Sequence, residues 1–121
     1  MAGLPDDALV VRGGLNFPDN FAHASGAMVG TDGRLQGVSV NAGSGLSVDE
    51  LTLPNPRIGY PGILNNQIGM TTVGAVRACG GEVEPSPTNA NPHHATLSGL
   101  TAEQASELLS PTIPNPARRK P

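Results

Sequence analysis

Apolar residues along the chain fall in short clusters, each closed by glycine, proline or a polar turn. The densest is ALVVR (8–12), a β-prone run ended by Gly13 and Gly14, which predicts the first strand. Residues 15–30 are polar and irregular, with an apolar AMV (27–29) suited to a short edge strand. Thr31, Asp32 and Gly33 signal a turn, because glycine takes the positive φ that such turns need. RLQGVSV (34–40) then reads as a second strand, so 27–40 is expected to form a hairpin. A glycine-rich loop (41–46) leads into Ser47-Val48-Asp49-Glu50, a capping box that starts one helical turn.

The segment 53–69 holds three prolines and three glycines and is expected to be a surface loop, a lid or a mobile insertion. Residues 71–79 fit a short helix stopped by Gly80 and Gly81. EVE (82–84) reads as a strand, PSPTNANP (85–92) as a turn-rich connection and HHATLS (93–98) as the last strand. Thr101-Ala102-Glu103-Gln104 is a second capping box, opening a helix that ends at Ser110-Pro111. The pattern predicts an α+β fold: a small, loop-rich, twisted and mainly antiparallel sheet with two or three short helices. One domain is expected over residues 1–113, with an extended basic tail over 114–121.

Composition sharpens this. Phe17, Phe21 and Tyr60 are the only aromatics among 121 residues, so the core must be built from Val, Leu, Ile and Ala. The net charge of −3 hides an asymmetry. Arg118, Arg119 and Lys120 set aside, four arginines and no lysine face ten acids, a poor footprint for non-specific nucleic-acid binding. Cys79 stands alone, so no intramolecular disulfide and no cysteine metal set can form. The first residues carry acids where a signal peptide needs bases, and no apolar run is long enough to span a membrane. A soluble, cytoplasmic protein is expected, or one delivered into a target cell's cytoplasm.

Candidate chemistry gathers on a few residues. No phosphate-loop or dinucleotide-binding glycine motif is present. A metal would have to use His23, His93 and His94, yet adjacent histidines on a strand point to opposite faces, so no metal is expected. Strand alternation instead places His94, Thr96 and Ser98 on one face and His93, Ala95 and Leu97 on the other. The first row can do general acid–base work, or it is the polar face of an edge strand. Arg12, ending the most apolar strand, suits a phosphate or carboxylate clamp or a surface ion pair. Ser39 is a site hydroxyl or a satisfied strand serine. Glu82 and Glu84 share a face, as an acid–base pair or as two solvated edge charges.

VVRGG (10–14), GVSV (37–40) and EVE (82–84) resemble the Arg–Ser–Glu layout of ADP-ribosyltransferases. HHATLSGLTAEQ (93–104) looks like the end of small bacterial toxins with that fold. The resemblance implies NAD as co-substrate, with Arg12 on its phosphates or ribose and Ser39 supporting the nicotinamide region. Glu84 would stabilise an oxocarbenium-like transition state, and Tyr60 is the candidate to stack on nicotinamide. It also implies a macromolecular target and a cognate antitoxin or immunity protein as partner.

HASG (23–26) and HATL (94–97) resemble the paired His-x-Ser/Thr motifs of the two-histidine phosphoesterases, in which two imidazoles flank a phosphate. Gly26 departs from that pattern by replacing an apolar strand position. More broadly, His94, Thr96 and Arg12 would serve any metal-independent ribonuclease toxin. A third reading is non-enzymatic: a binding or antitoxin-like module whose PNPARRKP tail folds onto a partner.

Overall fold

In the computed structural model, which describes residues 3–22 and 28–118, the first half runs β1 (Leu9–Gly13), α1 (Pro18–Ala22), β2 (Met28–Val29), β3 (Leu35–Gln36), β4 (Val38–Gly43) and α2 (Val48–Thr52). A 3-10 turn at Pro56–Ile58 follows, then β5 (Gln67–Thr72), α3 (Val73–Ala78), β6 (Glu82–Pro85), β7 (His94–Ser98), α4 (Ala102–Leu108), β8 (Ile113–Pro114) and a second 3-10 turn at Pro116–Arg118. Six strands form one antiparallel sheet in the order β6-β7-β4-β1-β5-β8, while β2 and β3 pair separately. This is the small α+β fold expected, with four short α-helices where two or three were foreseen. The extra one, α1, lies in the stretch read as irregular.

Alternation sorts the sheet into two unequal faces. Val10, Val38, Val40, Ala42, Val83, Ala95 and Leu97 are buried in the main core with Phe21, Val73, Val76, Leu100, Ala105 and Leu109. On the other face, Val11 and Ile68 pack under Leu51 and Ile63 in a smaller cluster. That second cluster covers β1 and β5 only. Across β4, β7 and β6 the same face carries Ser39, Asn41, His94, Thr96 and Glu84 instead of apolar side chains. The uncovered half is where chemistry can occur.

Both predicted capping boxes form. The Ser47 and Thr101 hydroxyls accept from the Glu50 and Gln104 N–H groups, and the Glu50 and Gln104 side chains accept in return. Other expectations need correction. RLQGVSV is not one strand: Gly37 turns with φ +78°, so 35–36 pairs with 28–29 and 38–43 joins the large sheet. The helix expected over 71–79 begins only at Val73, because Thr72 caps it through its hydroxyl to the Ala75 N–H.

The loop expected over 53–69 gives up its last residues to β5, an inner strand. Gly69 interrupts the strand's β-branched residues, Ile68, Thr71 and Thr72. A Cβ at this position would run into the Leu109 carbonyl and the Asn16 amide. Gly69→Ala should therefore lower stability by about 1–3 kcal/mol, the usual cost of overpacking a tight core. Urea denaturation would show it as a lower midpoint at unchanged slope.

The boundary at 113 also moves. β8 pairs with Gln67 and Ile68, and Asn115 is buried, its Nδ2 donating at 2.8 Å to both the Ile63 and Asn65 carbonyls. The polypeptide through Arg118 is thus part of the domain, held by backbone groups that a free tail would leave to water. No helix among the described residues is long and apolar enough to cross a membrane.

Candidate active site

The open half of the polar face is tiled in cross-strand rows. Ser39, Thr96 and Glu84 lie directly opposite one another on β4, β7 and β6. The next row is Asn41 and His94, continued by Ser86 just beyond β6, whose N–H donates to the His94 carbonyl. Strands in a sheet lie roughly 4.8 Å apart, so Ser39 and Glu84 are separated by about two strand spacings.

Beside these rows is a cleft of about 520 Å³. Its floor comes from Val11, Gly13, Ser39 and Asn41, its walls from His94 and Asn91 on one side and residues 62–65 on the other. The segment 62–65 is the proline–glycine loop singled out in the sequence. Asn115 holds it in place from below, through the carbonyls of Ile63 and Asn65.

His94 has a defined orientation. Its Nδ1 lies 2.8 Å from Ser86 Oγ and 3.1 Å from the Ser86 carbonyl. In the neutral tautomer that donates Nδ1–H to the Ser86 carbonyl, Nε2 keeps its lone pair. Ser86 Oγ also lies 2.8 Å from Thr96 Oγ1, giving a short hydroxyl relay behind the imidazole. Ser86 was missed in the sequence. Continuing the alternation of Glu82 and Glu84 by one step would have placed it on the same face as His94.

The two histidines part, with His93 in the turn before β7 and His94 on the strand. His93 meets the Tyr60 ring edge-on at 5.0 Å and lines a different hollow, with Asp49 and Glu50. His23, and with it the HASG motif, lies outside the described residues.

The other candidate residues take different places. Arg12 does not send its side chain into the His94 face. It pairs with Gly69 on the main-core face, where Nη1 donates to Asn16 Oδ1 at 2.8 Å and the guanidinium lies 4.5 Å from the Phe21 ring centroid. Burial lowers its pKa from the ordinary value. Tyr60 cannot stack on a ligand: it is 2% exposed, and its hydroxyl donates to the Leu51 carbonyl and accepts from Asn41 Nδ2. Glu82 does not pair with Glu84, because Arg77 holds it at 2.9 Å while also binding Asp6. Glu84 stands exposed at the end of the Ser39–Thr96 row, outside the cleft lining. Ser98 is structural, its hydroxyl accepting from the Gly37 N–H.

Desolvation pushes the Tyr60 phenol up to about 12 from 10.0, eased slightly by the hydrogen bond from Asn41. As the chain's single tyrosine, with no tryptophan, it is a clean probe. Phenolate absorbance should titrate near 12 in the native protein and near 10 in denaturant. A raised folded-state pKa means this stabilisation is complete below about pH 10 and is lost as pH climbs toward 12.

Neither the known protein families, nor curated proteins, nor solved structures yield a match to this chain.

Proposed function

We propose that the chain is a metal-independent ribonuclease-type enzyme, of the kind bacterial toxins use, with His94 as general base. One observation carries this: His94 lines a cleft while Ser86 holds its Nδ1, and in the tautomer that donates from Nδ1 its Nε2 would serve as an oriented proton acceptor. Nε2 would take the proton of a ribose 2′-hydroxyl, and the 2′-oxygen would form its bond to phosphorus as the bond to the 5′-oxygen breaks. The proton, relayed by water, would end on the departing 5′-oxygen. The products are a 2′,3′-cyclic phosphate and a 5′-hydroxyl. The amides of Asn65 and Asn91 and the Ser39 hydroxyl are neutral hydrogen-bonding groups suited to phosphate and ribose oxygens. Thr96 acts through Ser86, holding the relay behind the imidazole.

A second reading, NAD-dependent ADP-ribosyl transfer, draws on the row of Ser39, Thr96 and Glu84. A free carboxylate beside two hydroxyls suits a cation-like ribosyl transition state. The buried Tyr60, which cannot stack on nicotinamide, weighs against it. On either reading the target is a macromolecule, and a cognate antitoxin or immunity protein would be the natural partner.

Induced expression in bacteria separates the readings. Growth arrest with fragmented RNA, abolished by His94→Ala, supports the ribonuclease. Intact RNA with a collapsing NAD pool, abolished by Glu84→Gln, supports the transferase. Harmless expression of the wild type favours a binding module and defeats both.

A further inference from the structure

A second hollow, about 330 Å³, opens at the end of β1. It is lined by Arg12, Gly14, Leu15, Phe17, Asn20 and Asn65, and it shares Arg12, Gly13 and Asn65 with the His94 cleft. Its volume falls within the range of small-ligand sites, roughly 300–1,000 Å³. Three features of this hollow call for a ligand.

The first is the cation. Arg12 is half-buried, yet among the described residues no carboxylate reaches ion-pair distance of it. Among the described residues, two of its five N–H groups are directed at protein oxygens, on Asn16 and Asn20, and the other three have no partner. A partly desolvated guanidinium held over the Phe21 ring, with donors to spare, is a preformed receptor for a phosphate.

The second is the aromatic. Phe17 is 57% exposed and Leu15 51%, in a chain that otherwise buries its large rings: Phe21 is at 0% and Tyr60 at 2%. An exposed phenyl ring beside a phosphate receptor is the pairing that holds a nucleotide, base on ring and phosphate on arginine. The third is a pair of amides. Asn20 spends its Oδ1 on the Phe17 N–H, leaving its NH₂ for a base edge, and Asn65 sits where the two hollows meet.

We propose that the Arg12–Phe17 hollow is a nucleotide subsite, holding one base and its phosphate while the adjoining nucleotide lies against His94. This deepens the ribonuclease reading by giving the strand a second point of attachment. The bare phosphate contact is supplied by one arginine, so binding to an acidic body depends on stacking as much as on charge.

Titration calorimetry on the whole chain tests it, with adenosine monophosphate, a short oligoribonucleotide carrying deoxyribose at the cleavable position, and NAD as probes. Wild type should bind the mononucleotide and bind the oligonucleotide more tightly. Phe17→Ala should weaken both by about tenfold, the scale of one lost base–aromatic stack, and Phe17→Tyr should restore them. Arg12→Gln should weaken both and flatten the salt dependence. Phe17 is exposed, so its substitution leaves the core intact, and unchanged thermal melting would verify this.

Unchanged affinity in Phe17→Ala overturns the subsite. Binding of NAD in preference to both other probes overturns the RNA strand as its source. The outcome is separable from the reaction itself: His94→Ala should still bind the mononucleotide, which needs only the Arg12–Phe17 hollow, without cleaving RNA. If His94→Ala cleaves normally, the catalytic reading fails while the subsite stands.

Discussion

His94→Ala should reduce RNA cleavage by about 10²- to 10⁴-fold, the range that a positioned general base contributes. The loss should appear in kcat, because His94 is asked to move a proton and not to bind the strand. His94→Gln keeps a hydrogen-bonding side chain of similar reach but no base, and should be equally inactive. Ser86→Ala is the informative companion. It removes the hydroxyl 2.8 Å from Nδ1 but leaves the Ser86 carbonyl, which still fixes the tautomer. Activity should fall less than in His94→Ala, and Ser86→Thr should recover most of it. Single-turnover cleavage of a labelled RNA reads all four variants.

Phe21→Ala should destabilise the fold by about 3–5 kcal/mol, the cost of deleting a fully buried ring. Phe21 is at 0% exposure in the main core, and the chain has no other aromatic in that core to fill the space. It anchors α1 against α4 and is also the platform for the Arg12 guanidinium. Phe21→Leu keeps most of the volume and loses the ring face. It should therefore retain much of the stability while weakening nucleotide binding, because Arg12 loses the surface that orients it. Chemical denaturation read by far-ultraviolet circular dichroism measures the first effect, and calorimetry the second.

What could be read in advance followed the local character of each signal. Capping boxes are complete within four residues, so both were visible, and both form. ALVVR and HHATLS announce themselves by β-branched density and by alternation, and they became β1 and β7, the latter starting one residue later than expected. His93 and His94 do separate, but His93 belongs to the turn before β7 and not to the strand. β5 was hidden because its centre is Gly69, and the reason for that glycine, the Leu109 backbone, is forty residues away in the chain. The tail was misjudged for the same reason. PNP and its neighbours look free until Asn115 meets carbonyls of the 62–65 loop.

The candidate site divides similarly. His94, Thr96, Ser39 and Glu84 share a face because strand pairing put them there. Arg12 ends the same apolar run, but its side chain alternates with that of Val11. Val11 lies opposite Asn41, on the His94 face, so its neighbour Arg12 had to face the other way.

Metal-independent cleavage of RNA with His94 as general base is tested by incubating the purified chain with a defined oligoribonucleotide and excess chelator, then analysing the ends. Fragments with 2′,3′-cyclic phosphate and 5′-hydroxyl ends, absent with His94→Ala, are the expected result. Intact RNA under these conditions, with NAD consumed in a Glu84-dependent way, would contradict it.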